Sequence, residues 1–272
     1  MMASWLLAET AVYTAVLGNR QKTGDKVMLK FSKGNAKLAK DTIIFNLPAG
    51  RTCPGAKICK SMAVIEGNGK RKIRDSKSTQ FRCFAASSEI QYSAVYEARQ
   101  HNFKSINLAL KKGKAGELLN AGIQNHRTKN TKKVRIHGSG DYFSKQYLLA
   151  WIEAARMNPD LVFYGYTKSL DLFIGLELPN NFYITASYGG KHDHLIDQGH
   201  FKRYSKVFTN ELEAEKAGLE VDHDDSHCLG AKPFALLVHG TQPAGSVWSK
   251  AISERRKNKG FSGYSKIAAK NI

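Results

Sequence analysis

Cys53, Cys59, Cys83 and Cys228 are the four thiols of the chain, and their spacing is its most specific chemical signal. The first three are separated by five and twenty-three intervening residues, whereas Cys228 follows the distant polar run of residues 222–227. Folded back on one another, four such thiolates make a sulfur-ligated metal site that ties the two ends of the protein together. Zinc knuckles leave two to four residues between paired cysteines. An iron-sulfur cluster is larger than a single ion and gathers thiolates from separate loops, so a [4Fe-4S] centre held by Cys53, Cys59, Cys83 and Cys228 fits better, with zinc as the alternative. Lys57, Lys60 and Arg82 are expected to lower the thiol pKa values and to offset the cluster's negative charge. His192, His194, His223 and His227 are expected around the ligands, the last two as substitutes should one cysteine be silent.

Other uses of cysteine compete with this reading. Free thiols often serve as small apolar core fillers, but Pro54-Gly55 and the polar run before Cys228 do not resemble buried strand or helix. Disulfides need an oxidising compartment. The opening nine residues lack a basic n-region, and Glu9 breaks their apolar run, which makes a poor secretory signal. No stretch approaches the roughly 18 consecutive apolar residues of a membrane span. The expectation is a cytoplasmic protein with reduced thiols and no membrane partner.

The elements that must position these thiols follow from the apolar pattern. Residues 1–50 read as a β-rich segment, with strands at 11–17, 27–31 and 42–47, the last stopped by Pro48-Ala49-Gly50. Residues 51–86 read as a cysteine-bearing metal loop. Residues 87–272 read as a (β/α) core: helices over 87–112 and near 118–123, then strands at 133–137, 161–167, 182–187, 206–209 and 234–239 alternating with helices, and a basic C-terminal helix and tail. Ser144 is placed to cap the helix carrying Tyr147, Leu148, Trp151, Ile152 and Ala155. Consecutive βα units predict an α/β fold with a mostly parallel sheet, open or curled into a partial or TIM-like barrel. Sites in such folds lie at the strand C-termini. The loops after the strands are polar there, which makes Asp141 and Lys168 the candidate catalytic residues on the rim.

Charge points to a partner. With 42 Lys and Arg against 23 Asp and Glu, the net charge is +19, a field that attracts polyanions, nucleic acid foremost. The basic residues cluster in residues 20–40, in Lys70, Arg71, Lys72 and Arg74, in residues 127–135, and in the tail at Arg255, Arg256 and Lys257. On Gly- and Ser-containing loops such residues suit phosphate contacts without sequence readout. No helix-turn-helix, zinc-finger or RNP-type signature accompanies them.

Several separated motifs carry a family likeness: Asn35-Ala36-Lys37-Leu38, Leu47-Pro48-Ala49-Gly50-Arg51-Thr52-Cys53-Pro54-Gly55-Ala56, Cys83-Phe84-Ala85, Arg135-Ile136-His137-Gly138-Ser139-Gly140-Asp141-Tyr142-Phe143 and Phe163-Tyr164-Gly165-Tyr166-Thr167-Lys168-Ser169. Together, over most of residues 30–190, they resemble the gene-product-88-like family of bacteriophage proteins. The resemblance implies a phage origin and expression in a bacterial cytoplasm, and it supplies no reaction. A weaker likeness is to radical-SAM enzymes, which combine an iron-sulfur centre with a partial βα barrel. Their three ligands follow a tight run that is absent here, and a fourth cysteine ligand would fill the iron position that SAM occupies. Three functions therefore stand open. The first is a four-sulfur cluster protein that meets nucleic acid through its basic loops. The second is a cluster-dependent enzyme in which Cys228 is not a fixed ligand and substrate approaches near Asp141 and Lys168. The third is a zinc-stapled, host-directed binding protein without catalysis.

Overall fold

A computed structural model of the chain describes residues 28–34 and 38–259. The strand expected at 11–17 and the basic residues Arg20, Lys22, Lys26 and Lys37 lie outside the described residues. The described chain builds a mixed α/β fold around a seven-stranded sheet. Its strands are β1 (Phe31–Lys33), β2 (Thr42–Asn46), β5 (Lys133–Ser139), β6 (Val162–Thr167), β7 (Phe182–Ser187), β8 (Tyr204–Phe208) and β9 (Phe234–Leu237), in that spatial order. From β2 to β9 every neighbour is parallel, and β1 is antiparallel on the edge. The expected mostly parallel sheet is thus present, wound in one direction. Among the described residues β1 and β9 do not pair with each other, so the sheet does not close as a TIM-like barrel.

Alternation along the strands separates two faces. Ile43, Phe45, Val134, Ile136, Phe163 and Phe182 face the helices and join the main core. Against them pack α2 (Ser93–Lys111), α3 (Ala115–His126) and α4 (Lys145–Arg156). Trp151 of α4 is fully buried, with its ring edge-on to Phe45 at 5.3 Å and to Phe163 at 6.4 Å. Ser144 caps α4 as expected, its hydroxyl accepting the Tyr147 N–H at 3.2 Å.

The segment between the second and third cysteines is more ordered than a loop. It contains an antiparallel hairpin, β3 (Ser61–Ile65) and β4 (Arg71–Asp75), that packs against α1 (Phe84–Gln91). The Asn68-Gly69 pair at its tip, with Gly69 at φ +77°, is the local turn signal. Two short helices, α5 (His194–Asp197) and α6 (Glu211–Lys216), and a longer one, α7 (Val247–Lys259), follow. No helix among the described residues is long and apolar enough to cross a membrane.

Candidate functional site

The other face of the sheet lines a cavity of about 610 Å³. Ile44, Arg135, Tyr166, Ser187, Val207 and Leu236, one residue from each of the six consecutive parallel strands, share its wall. The residues that follow the strands (Gly140-Asp141, Lys168, Val238-His239) place it at the strand C-termini. Cys53, Cys59 and Cys83 line the same cavity.

Each cysteine is held by loops that the sheet itself positions. The Cys53–Cys59 segment leaves the end of β2 and docks on the loops after β6 and β7. Lys57 and Ile58 N–H groups donate to Gly189 O at 3.2 and 3.0 Å, and Lys191 N–H donates to Gly55 O at 2.8 Å. The hairpin then returns the chain. Gln80 N–H donates to Ile58 O at 2.7 Å and Ser76 N–H to Lys60 O at 3.0 Å, which brackets Cys59. Beside Cys83, the Arg82 N–H donates to Gln242 Oε1 at 2.7 Å, Gln242 Nε2 returns a bond to Arg82 O at 3.0 Å, and the Arg82 guanidinium pairs with Asp75 at 2.8 Å. Cys83 is also the N-cap residue of α1.

The three half-buried thiols feel one another electrostatically. Desolvation, then Asp141 and the other two sulfurs, push Cys53 well above the usual thiol range. Cys83 is pushed up to about 11, again by desolvation first and Cys59 next. The lowering expected from Lys57, Lys60 and Arg82 is not what happens. Burial outweighs nearby cations, Arg82 is spent on Asp75, and the cation that does lower Cys83 is Arg99.

Cys228 does not join the trio. It lies fully buried in a 3-10 turn, Ser226–Leu229, against Tyr164 and Phe234. Burial raises its pKa, and its neighbours are Arg135, Tyr166, Asp222 and Thr185 rather than another sulfur. Tyr166, which lines the cavity, touches it from that side. The nearby histidine is spoken for as well, since His227 Nδ1 meets Asp222 at 3.1 Å and Nε2 meets Glu220 at 3.4 Å. His192 pairs with Asp171 at 3.5 Å. Among the described residues no three His, Cys, Asp or Glu side chains form the ligand set of a single metal ion. Cys53, Cys59 and Cys83 thus share one cavity lining, and Cys228 is not part of it.

Asp141 and Lys168 do meet on the cavity wall. The Asp141 carboxylate, 5% exposed, accepts Tyr142 N–H at 2.7 Å, Thr167 Oγ1–H at 2.7 Å and Lys168 N–H at 2.8 Å. Burial still raises its pKa. Lys168 Nζ donates to Ser187 Oγ at 2.5 Å, Ser187 O at 3.3 Å and Tyr188 O at 2.7 Å. Beyond them, Arg135 pairs with Asp225 and lies over the rings of Tyr164 and Tyr166, at 5.9 and 5.0 Å from their centroids. The sequence reading missed Arg135 and Tyr166 as wall residues. His239, in the polar loop after the last strand that the rim rule also singles out, stacks on Phe84 at 4.3 Å beside Cys83.

A protein-family model described as Gene product 88 matches residues 29–261. The chain belongs to the gene product 88 family. The match extends the likeness seen in residues 30–190 to β8, β9 and Cys228. Within this family the Gene 88 protein of Mycobacterium phage L5 is similar, 48% identical over 42 residues, a stretch covering 15% of this chain and 18% of that protein. The chain thus matches less than a fifth of that relative's length. No solved structure matches the chain.

Of the expected nucleic-acid residues, Lys70, Lys72 and Arg74 are exposed on the hairpin and Arg256 and Lys257 on α7. Several are engaged elsewhere, Lys72 with Glu66 at 3.5 Å. The Arg71 guanidinium lies over the Tyr96 ring at 5.6 Å, and Arg255 donates to Val238 O.

Proposed function

We propose that this gene product 88 protein is an iron-sulfur protein of the host bacterial cytoplasm in which Cys53, Cys59 and Cys83 hold a [4Fe-4S] cluster. The cavity beside them serves a small-molecule reaction of radical-SAM-like type. One observation carries the reading: three free thiols share a single cavity with Asp141 and Lys168, while Cys228 stands apart behind Tyr166. Three thiolates leave a four-iron cluster one position short of full sulfur ligation, which favours ligand binding over a purely structural role. The donor set fits the group, because free cysteines from two loops suit a cluster wider than a single ion. When bound, the cluster would supply one-electron chemistry to a ligand beside it.

The chain's own residues do the rest. Asp141 locks the loops after β5 and β6 to one another, which fixes the cavity rim. The Lys168 ammonium supplies positive charge to an anionic group on the ligand. Arg135, with its aromatic bed, orients the far end. Six consecutive parallel strands contributing to one cavity support a curled, partial (β/α) barrel as the finer description of the fold.

A contact with nucleic acid is a second part of the reading, supported by the charge of +19 and by the exposure of Lys70, Lys72, Arg74 and Lys257.

Anaerobic purification followed by iron, sulfide and zinc quantification tests the metal, first on the parent protein and then on Cys→Ser variants at all four positions. The expected result is iron and sulfide in equal amounts, lost in C53S, C59S and C83S and kept in C228S. One zinc per chain without iron overturns the proposal in favour of a stapled binding protein. Loss of iron in a folded C228S protein returns the site to four sulfurs.

A further inference from the structure

A second concavity, about 420 Å³, opens at the opposite edge of the sheet, where β2 and β5 begin. Two basic runs far apart in sequence meet in it because those strands are parallel neighbours in register, Thr42 opposite Lys133. Lys40 arrives just before β2, and Lys129 and Lys132 just before β5. Lys33 comes from the antiparallel β1, opposite Ile43. The two loops are stitched together by Lys132 and Lys133 N–H groups donating to Asp41 O at 2.8 and 3.1 Å. The turn before β5 is held by Thr128 N–H donating to Thr131 Oγ1 at 2.9 Å.

Charge in this pocket is one-sided. Its single acid, Asp41, is taken by Lys133 Nζ at 3.5 Å and by the Thr42 hydroxyl at 3.1 Å. Lys33, Lys40, Lys129 and Lys132, all exposed, have no acidic partner among the described residues. Four ammonium groups facing one concavity repel one another, and an anion with several charges relieves that repulsion. The neutral lining, Thr128, Asn130 and Thr131, offers hydroxyl and amide donors of the kind that contact phosphate oxygens. The ring in its lining is His126, half-buried with the Phe31 ring 5.2 Å away, and no Phe, Tyr or Trp lines the pocket as a platform for stacking bases.

We infer that this pocket binds the phosphodiester backbone of a nucleic acid, without reading its sequence. The inference rests on the reading that the chain meets nucleic acid, and it assigns the contact to Lys33, Lys40, Lys129 and Lys132 ahead of the hairpin and the C-terminal helix. The pocket lies at the strand N-termini and the thiol cavity at the C-termini. A strand bound here anchors the protein and is not delivered to the cysteines.

Fluorescence anisotropy of a short labelled oligonucleotide of mixed sequence, single-stranded and duplex, tests this across a salt series. Three proteins are compared: the parent, Lys129→Ala/Lys132→Ala, and Lys72→Ala/Arg74→Ala in the hairpin. All four residues are exposed, and circular dichroism confirms that the fold is retained. The expected result is an affinity loss of tenfold or more in the pocket variant. Its log affinity against log salt should flatten by roughly 1.4 to 1.8, the share of two phosphate contacts, with little change in the hairpin variant. Greater loss in the hairpin variant overturns the pocket assignment while leaving nucleic-acid binding intact. No binding by the parent protein overturns both. Binding of ATP that depends on Lys129 and Lys132, without oligonucleotide binding, makes this a mononucleotide site and overturns the backbone assignment.

Discussion

Glu89 Oε1 accepts two hydrogen bonds at 2.8 Å, one from Arg99 Nη1 and one from the backbone N–H of Ala49. The same Arg99 nitrogen donates to Ala85 O at 2.9 Å. One buried ion pair therefore ties the loop that leads to Cys53 to the helix that Cys83 begins. Glu89, 1% exposed, has its pKa raised by burial, and Arg99 works against that rise. Breaking such a pair from one side leaves a buried charge unpaired, at a cost of about 3–5 kcal/mol. Glu89→Ala is expected to lower Tm by that equivalent and to reduce iron loading even below the melting range. Glu89→Gln, which keeps an acceptor for the Ala49 N–H, should lose less of both. Chemical denaturation and iron quantification on the two variants read the difference, and equal loading in all three proteins would reject the clamp.

Gly55 packs its backbone on the loop after β6. A Cβ there would run into the Lys168 carbonyl, with Ser169 N only 2.7 Å away. Gly55→Ala is expected to cost about 1–3 kcal/mol through overpacking and to lift the Cys53–Cys59 segment off the rim. Iron binding should fall more than thermal stability does, which a comparison of Tm with iron content checks.

Cys228 is expected to matter for stability and not for metal. Removing its side chain opens a small void between Tyr164 and Phe234, so Cys228→Ala should destabilise by about 1–3 kcal/mol in urea unfolding. Visible absorbance per folded molecule should be unchanged.

His137 supplies a pH dependence. It is 4% exposed, its Nε2 meets Tyr147 Oη at 2.9 Å, and its pKa is lowered to about 3 by burial first and by Arg135 second. The unfolded chain binds this proton near pH 6.5 while the folded chain resists it down to about 3. The contribution is thus fully present above the unfolded value and is lost as pH falls through the window between the two. The slope is about 1.4 kcal/mol per pH unit for one proton. His137 also stands at φ +62°, a conformation that Asn tolerates better than most residues. Denaturation of His137→Asn across that window should show the acid slope reduced by this one-proton share, at a lower baseline stability. An unchanged slope would remove His137 as its source.

Local pattern made much of this protein readable. The short strand-forming runs at 42–47, 133–137, 161–167, 182–187, 206–209 and 234–239 marked the six parallel strands, because strands buried in a parallel sheet read as apolar runs bounded by turn residues. Ser144 marked the start of α4, because an N-cap works through a hydrogen bond three residues away. The rim rule selected Asp141 and Lys168, because parallel strands all end at one edge. The β3–β4 hairpin was missed although Asn68-Gly69 announced its turn, since β3 is an apolar run without alternation and β4 is mostly Lys, Arg and Asp.

Residue types and spacing by themselves determined that three thiols near one another would share a loop region, that the sheet would be mostly parallel, and that excess positive charge would crowd particular segments. Only the tertiary structure decided that Cys228 turns inward behind Tyr166 instead of meeting the other sulfurs, and that the lysines before β2 and β5 face one pocket. Both outcomes depend on how strands distant in sequence register against one another, and that register is set by burial across the whole sheet, which no local spacing records.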